Sequence, residues 1–554
     1  MKMQVDYSLY LVTDSTAAIL GQRDLVDVVE QALDGAGVTI VQYRDKTSDT
    51  GALIQTAKAL HAKCRAHNVP LIINDRVDVA LAVDAEGVHL GQDDMSLSTA
   101  RALLGSDKII GATVSSIDEA DEAVAQGADY LGIGTLYATN TKKNTKDIIG
   151  VNGVRKILHH LETCRNEAAK TIKTVCIGGI NASNIQLILH QLYAPSPTPP
   201  TPKKTIDGVA VVSAIIAPLD PRAASSHLKS LITTPPPFAT KNNPNTQPFH
   251  PDSLTTPTSP LIPFIKAVHE KSPLTHNMTN LVVQNFAANV ALSIGASPIM
   301  SNNGAEASDL AKLHGALVIN MGTATPEALS HHRQAIQAYN AAGGPVVLDP
   351  VGAGATTARR EALAFLLASG YFDLIKGNES EILAVARASG LSVEFEATQQ
   401  RGVDSGASHL SPAQKASLVS RLALRERNIV LMTGAVDIIS NGSYTYSIHN
   451  GHEFLGMITG SGCTLGTALS AFLAASPGDK LWAAIAGTVL FGVAAEEAAR
   501  RADVKGPGTF VPAFLDELWR VRRGVGESGG AEWVGRARVE QVDVANGGGN
   551  GKVR

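Results

Sequence analysis

Gln42, Arg44 and Lys46 stand at alternate positions where an apolar run, VTIVQYRDK, gives way to charge. On an extended strand that spacing aims all three side chains to one side. A glutamine and two cations converging there suit a pyrophosphate, with arginine as a planar fork and lysine as a point charge. Polar residues close other apolar runs in the same way. Asn74 and Asp75 lie at the end of VPLIINDR, Asp94 closes GVHLGQDD and Thr113 lies at the end of the apolar part of IIGATVSS. Thr139, Thr141 and Lys142 close DYLGIGTLYATNTK, Gly178 and Gly179 close TVCIGGI, and Val212 and Ser213 close GVAVVSAI. Asp75 and Asp94 offer hard oxygens to Mg2+, which takes few carboxylates plus substrate phosphate. The paired glycines let backbone N–H groups approach a second phosphate. Salt bridging at a rim is the alternative for any one of these residues; it is a poor account of the whole set.

A second constellation lies near the end of the chain, in TGSGCTLGTALSAF. Glycine-freed N–H groups precede a helical run, so Cys463 sits near a helix N-terminus, where partial positive charge gathers. That setting binds anions and can depress a thiol. A nucleophile, a metal ligand, a proton acceptor and a small buried residue are all open readings of Cys463. A nucleophile would want a nearby histidine or similar partner. A metal site would want more ligands, and no Cys or His cluster stands nearby in the sequence.

These residues need elements to hold them. Before residue 233, eight short apolar runs, the first of them SLYLVTD, alternate with Ala-rich helical stretches such as TGALIQTAKALHAKCRAH. Alternating βα units imply a parallel sheet, and eight of them imply a (β/α)8 barrel with every strand end on one face. Later, VINMGT, VVLDPVGAGAT, DLIKGNESEI and IVLMTGAVDII are strands that end in Gly- or Asp-bearing turns. PLTHNMTNLVVQNFAANVALSIGASPIM reads as a polar entry, an amphipathic helix and a strand. This half is again α/β, with ligands at strand ends and helix starts. No GxxxxGK[ST] is present, which argues against a P-loop enzyme.

A chain of 554 residues suggests two domains. TTPPPFATKNNPNTQPFHPDSLTTPTSP, residues 233–260, reads as a semi-extended linker between a domain at 1–232 and one at 261–523. APSPTPPTPKKT reads as a surface insertion, residues 397–411 as a loop, and residues 524–554 as a disordered tail. A net charge of -4 invites no nucleic acid. The four scattered cysteines form no CxxC pair and fit a reducing compartment. The N-terminal stretch lacks an apolar signal core, and the apolar run LWAAIAGTVLFGVAA is too short to span a bilayer, so no membrane partner and a cytoplasmic location are expected.

QYRDK, IINDR, HLGQDD, TNTK and IGGI together resemble thiamine phosphate synthase, over about residues 7–231. That resemblance implies a Mg2+-assisted displacement of pyrophosphate from hydroxymethylpyrimidine diphosphate by a thiazole phosphate. It assigns Gln42, Arg44, Lys46, Asn74, Thr113 and Lys142 to the pyrimidine diphosphate and Asp75 and Asp94 to the metal. Thr139, Thr141, Gly179, Val212 and Ser213 go to the thiazole phosphate. Thr113 departs from the family, which often has serine, but keeps the hydroxyl.

PLTHNMTN, GASPIM, LDPVGAGAT, GNESE and TGSGC, in this order, resemble hydroxyethylthiazole kinase of the ribokinase-like superfamily, over about residues 262–521. The resemblance implies a C-terminal α/β/α domain in which Cys463 accepts the alcohol proton. Met300 and Gly460 contact the thiazole, Arg359 and Thr433 contact ATP, and Asn378 and Glu381 order Mg2+ through water. Thr357 stands where the family commonly has proline. His276 is expected to cap a helix or to bond within the core. The two halves together are similar to fused, bifunctional thiamine biosynthesis enzymes, and a homo-oligomer built on kinase trimers follows by analogy. A ligand sensor without turnover would be expected to lack the metal carboxylates or Cys463, and this chain keeps both.

Overall fold

The computed structural model describes residues 3–138, 148–194, 204–240, 259–393, 410–528 and 534–544. Contacts divide the chain into two compact units, before and after the Pro235–Pro236 bond.

Strict alternation in the apolar runs builds the first unit. In β1 (Leu9–Val12), Leu9 and Leu11 face the surrounding helices while Tyr10 and Val12 face the barrel interior. A period of two sorts side chains this way on any strand buried on both faces. The strands β2 (Ile40–Tyr43), β3 (Leu71–Asn74), β4 (Gly87–Leu90), β5 (Ile109–Val114), β6 (Tyr130–Ile133), β7 (Lys173–Ile177) and β8 (Gly208–Val211) follow in order. All pairings are parallel, and β8 returns to β1 to close the eight-stranded barrel. The intervening helices are amphipathic. Thr50–Ala66 starts at an Asp49 cap and buries Leu53, Ala57, Leu60 and Cys64, a spacing that keeps one stripe on the barrel. The eight expected strands are therefore the eight observed.

The Pro-rich insertion has a closed neck, with Tyr193 bridging Thr205 and Ala194 N–H donating to the Lys204 carbonyl. That neck precedes β8, at the barrel end opposite the strands' C-terminal ends. The inserted residues 195–203 lie outside the described residues.

The second unit is a nine-stranded sheet with helices on both faces. Its strands are β9 (Leu274–Met278), β10 (Ser297–Ile299), β11 (Ala316–Asn320), β12 (Val346–Asp349), β13 (Leu374–Asn378), β14 (Ile429–Thr433), β15 (Asp437–Ser440), β16 (Thr445–Ile448) and β17 (Val539–Gln541). Their order is β10-β9-β11-β12-β13-β14-β15-β16-β17, parallel through β14 and antiparallel after it.

Three expectations are corrected here. The polar entry PLTHNM contains the interior strand β9, with Thr275, His276 and Asn277 fully buried. Their polar groups find distant partners: His276 Nε2 bonds the Ser301 carbonyl at 2.9 Å, and Asn277 Oδ1 accepts from Thr467 Oγ1 at 2.7 Å. The presumed linker is structured at its start. Pro237–Thr240 forms a helical turn whose buried Phe238 stacks on Tyr371 at 4.9 Å between centroids. The presumed tail is structured over its described residues, 524–528 and 534–544. A helix runs over Pro507–Ser528, and β17 extends the sheet beside β16. Residues 241–258, 529–533 and 545–554, and all of the presumed 397–411 loop except Leu410 and Ser411, lie outside the described residues.

Among the described residues one helix, Lys480–Arg500, is long and apolar enough to cross a membrane. It is buried almost along its length inside the second unit and packs on the helices Ser461–Ala475 and Pro507–Ser528. It serves as a core helix.

Candidate active sites

The barrel presents its strand ends on one face, and charge gathers there. Lys46 Nζ lies 2.7 Å from Asp75 Oδ2. Asp94 stands close enough to Asp75 for the two carboxyls to bear on each other's charge. Burial raises Asp75, but its neighbours Asp94 and the Lys46 ammonium outweigh it and hold Asp75 below its ordinary value. Asp94 is pushed up, by burial first and then by its Asp75 partner. The backbone also commits itself here: Asp75 has φ 61°, a left-handed conformation that Asp tolerates better than most residues. Asp94 Oδ2 is fixed by the Gly91 N–H at 2.7 Å. Two converging carboxylates fit Mg2+, which leaves most of its coordination to water and phosphate. Among the described residues no cluster of three His, Cys, Asp or Glu groups forms.

Gln42 departs from its expected company. It is buried inside the barrel, and its Nε2 donates to the Tyr10 hydroxyl at 2.9 Å. From there a chain runs across the interior: Tyr10 to Tyr130 at 2.7 Å, Tyr130 to His89 Nδ1 at 2.8 Å, and His89 Nε2 to Thr113 Oγ1 at 2.9 Å. Gln42 and Thr113 are thus tied together by three residues that the sequence reading missed. Arg44 turns towards Asp14, with Nη1 3.9 Å from Oδ2. Asn74 ends β3, immediately before Asp75.

The glycine turn after β7 sits tightly against the segment after β6. Gly178 and Gly179 have φ 114° and 68°. A Cβ on Gly179 would come 2.8 Å from Tyr137 Cβ, and one on Gly178 would come 2.5 Å from Thr135 Cγ2. Val212 and Ser213 open the short helix Ser213–Ile216. Thr139, Thr141 and Lys142 lie outside the described residues.

In the second unit the N-terminus of the helix Ser461–Ala475 faces the ends of the parallel strands. Gly460 has φ 86°, and a Cβ there would meet Val283 Cγ2 at 2.6 Å. A Cβ on Gly462 would meet only Lys376 Nζ, at 3.8 Å. Behind Cys463 lies a buried polar chain. Lys376 Nζ is 2.7 Å from Asp349 Oδ1, Asn320 Nδ2 donates to Asp349 Oδ2 at 2.8 Å, and Asn280 Nδ2 donates to Asn320 Oδ1 at 3.1 Å. Asn280 Nδ2 also reaches Cys463 Sγ at 4.0 Å. The thiol does not behave as its helix position suggests. Burial, followed by the Asp349 charge, pushes it up to about 12, against the lowering by Lys376 and Asn320. Desolvation outweighs the partial charge of a helix end.

Glu381 caps its own helix from within. Its Oε2 accepts from Asn378 N–H at 2.8 Å and its Oε1 from Gly352 N–H at 2.9 Å, while Asn378 Oδ1 takes the Glu381 N–H. Each carboxylate oxygen keeps a free lone pair, which suits a hydration water of a cation better than the cation itself. Burial and the Asp349 charge push Glu381 up. Arg359 spends its guanidinium on the carbonyls of Val351 at 2.6 Å and Gly322 at 3.1 Å, holding two strand-end loops together. Met300 follows β10, and Thr433 ends β14. Asp349, Asn320, Asn280 and Lys376 were missed. The one signal for Asp349 was its place at a strand end, immediately before PVGAGAT.

Two families match the two units: thiamine monophosphate synthase over residues 9–215 and the hydroxyethylthiazole kinase family over residues 265–524. The "Probable thiamine biosynthetic bifunctional enzyme" of Schizosaccharomyces pombe is 42% identical over 98% of this chain and 100% of its own length. The chain belongs to the bifunctional thiamine biosynthetic enzymes. It carries a thiamine-phosphate synthase unit and a hydroxyethylthiazole kinase unit. The "Thiamine biosynthetic bifunctional enzyme" of Saccharomyces cerevisiae is 37% identical over 94% of this chain and 96% of its own. The synthase unit alone is similar to the "Thiamine-phosphate synthase" of Clostridium botulinum, at 43% identity over 41% of this chain and 98% of that one.

Proposed function

We propose that the kinase unit phosphorylates hydroxyethylthiazole with ATP and that the synthase unit joins the product to hydroxymethylpyrimidine diphosphate, giving thiamine monophosphate and pyrophosphate. The observation that carries the synthase half is the Lys46–Asp75–Asp94 cluster, where a cation and two converging acids meet at the strand ends. Asp75 and Asp94 would hold Mg2+, whose chemistry is to neutralise the departing pyrophosphate. Arg44, Lys46 and Lys142 take up the diphosphate charge, and Gln42, Asn74 and Thr113 orient the pyrimidine end. Thr139, Thr141, Gly179, Val212 and Ser213 hold the thiazole phosphate, so that the ring nitrogen meets the methylene carbon. A stabilised pyrimidinyl cation needs its leaving group neutralised more than it needs a protein base.

In the kinase unit, Met300 and Gly460 seat the thiazole, Thr433 contacts ATP, and Arg359 shapes the nucleotide side through the loops that it ties. Cys463 meets the alcohol beside the N–H groups of the glycine turn, which receive the transferring phosphoryl group. Asn378 and Glu381 orient water around a Mg2+ carried with the nucleotide. The protein works in the cytoplasm as a homo-oligomer built on kinase-unit trimers. The exposed Leu281, Val282 and Met457 beside the kinase site support such an assembly.

A coupled assay tests this reading. Purified protein with ATP, Mg2+, hydroxyethylthiazole and the pyrimidine diphosphate should form thiamine monophosphate. Omitting ATP should stop it, and added thiazole phosphate should restore it. Formation without ATP from the unphosphorylated thiazole would overturn the order of steps. Binding of all substrates without product would favour a sensor.

A further inference from the structure

The hydrogen-bonded chain inside the synthase barrel has a direction. Gln42 Nε2 donates to the Tyr10 hydroxyl at 2.9 Å, and that hydroxyl meets Tyr130 Oη at 2.7 Å. Burial pushes both phenols up, so each holds one proton to give. Tyr10 is 2% exposed, and its proton either goes to Tyr130 or stays unpaired in the barrel interior, which is costly. Tyr130, already accepting, gives its own proton to His89 Nδ1 at 2.8 Å. A neutral imidazole that accepts at Nδ1 carries its hydrogen on Nε2, which donates to Thr113 Oγ1 at 2.9 Å. Thr113 keeps its own O–H to offer elsewhere. Gln42 keeps Oε1, which has no partner among the described residues.

The strands are built around this chain. A Cβ on Gly111 of β5 would collide with the Tyr130 ring, and one on Gly132 of β6 would fall 2.9 Å from His89 Cε1. Glycine at both positions leaves room for the two rings.

We propose that the fixed direction of this chain locks Gln42 Oε1 as an acceptor for the exocyclic amine of the pyrimidine, and that Tyr10, Tyr130 and His89 are positioning residues that select an amino- over an oxo-pyrimidine diphosphate. This rests on the synthase reading above and adds what decides between two substrates of nearly the same shape. An oxo group in that place is an acceptor and opposes Gln42 Oε1. To meet it with an N–H, the Gln42 amide must turn over and bring Oε1 onto Tyr10. Every bond behind it then reverses: Tyr10 donates to Gln42, Tyr130 to Tyr10, His89 Nδ1–H to Tyr130, and Thr113 to His89 Nε2. Thr113 thereby loses the O–H that it held for the substrate. The two ends are coupled through residues that never touch the ligand, and the wrong pyrimidine forfeits both.

The test is calorimetry on the full chain with Mg2+ and no thiazole phosphate, so that chemistry does not intervene. The ligands are hydroxymethylpyrimidine diphosphate, which carries the amine, and its 4-oxo counterpart. The parent should bind the amine about 100-fold or more tighter. Tyr130→Phe should cut that preference by about tenfold or more, through weaker binding of the amine and tighter binding of the oxo compound. Tyr10→Phe, which frees Gln42 directly, should do the same and decides the matter if the Tyr130 variant does not fold. Thr113→Ser keeps the hydroxyl and should keep the preference. A merely structural chain would weaken both ligands alike. A preference unchanged within about threefold in the folded Phe variants, or a parent that binds the two ligands equally, therefore overturns the proposal. With 15N-labelled histidine, the parent signal that is missing from His89→Gln should belong to an imidazole protonated on Nε2, and protonation on Nδ1 instead overturns the direction of the chain. A parent that binds the amine but makes no thiamine monophosphate from added thiazole phosphate overturns the synthase reading, while the binding preference still judges the proposal.

Discussion

Lys46 Nζ lies 2.7 Å from Asp75 Oδ2 at the mouth of the synthase barrel, and Asp94 stands close enough to bear on the Asp75 charge. Asp75 is held low and Asp94 high, so as pH falls Asp94 is the first of the two to carry a proton. A cation needs both carboxylates ionised and therefore competes with that proton. Synthase kcat/KM at limiting Mg2+ should fall on the acid side at a pH shifted upward from that of an ordinary aspartate. Raising Mg2+ should move the fall to lower pH. Asp94→Asn should abolish the Mg2+ dependence of that limb and lower the rate by about 100-fold or more, while leaving the kinase rate alone. A limb that ignores Mg2+ would remove the pair from the metal site.

Gly179 is required by its backbone and by its neighbours, since φ is 68° and a Cβ would sit 2.8 Å from Tyr137 Cβ. Gly179→Ala should push apart the turn after β7 and the segment after β6. The expected result is a rise of about tenfold or more in KM for thiazole phosphate, from loss of one or two backbone N–H contacts. Initial rates at varied thiazole phosphate check it, and an unchanged KM would place the phosphate elsewhere.

The barrel was legible because each strand carries its own signal: an apolar run, then polar residues at its C-terminal end. Lys46 and Asp75, from the ends of neighbouring strands, meet as the shared face requires. The kinase unit was harder, for a physical reason. β9 is polar in sequence, and Thr275, His276 and Asn277 can be buried only because Ser301 and Thr467 answer them from far along the chain. The β15–β16 hairpin did carry a local signal, Asn441–Gly442, with Gly442 at φ 87°. Cys463 misled through a sound local rule. Its helix end favours a thiolate, but burial and Asp349, neither of them local, weigh more. The Lys376–Asp349–Asn320 chain joins three strands, and no spacing in the sequence announces it.

The interior chain from Gln42 to Thr113 passes through Tyr130, whose hydroxyl bonds both Tyr10 and His89. Tyr130→Phe keeps the ring, which packs on Tyr7 at 5.0 Å, and removes only the bridge. Two buried groups then lose a partner, at a cost of about 1–3 kcal/mol each. The synthase unfolding transition should drop by several degrees in calorimetry. KM for the pyrimidine diphosphate should rise several-fold, since Gln42 and Thr113 lose their common anchor. A transition that shifts with no change in KM would reduce the chain to a structural role.

The strand β17 seals an edge that would otherwise expose β16. Val542 N–H donates to the Thr445 carbonyl at 2.8 Å, and His449 N–H to the Arg538 carbonyl at 2.9 Å. Arg538 also clamps a turn: its Nη2 meets Glu496 Oε1 at 2.6 Å, where Asn450 Nδ2 and Gly451 N–H converge at 3.1 and 3.0 Å. Truncation after Ser528 removes all of this. It leaves Glu496, 6% exposed, without that cation and β16 open to pairing with other chains. The kinase should then lose activity faster than the parent on incubation at elevated temperature, and should aggregate, while synthase activity survives in the same sample. Arg538→Ala alone should cost only about 1 kcal/mol, because its side chain is 54% exposed and solvent screens the pair. Comparing the inactivation half-lives of truncation and substitution separates the strand from the ion pair. Equal half-lives would assign the whole effect to Arg538.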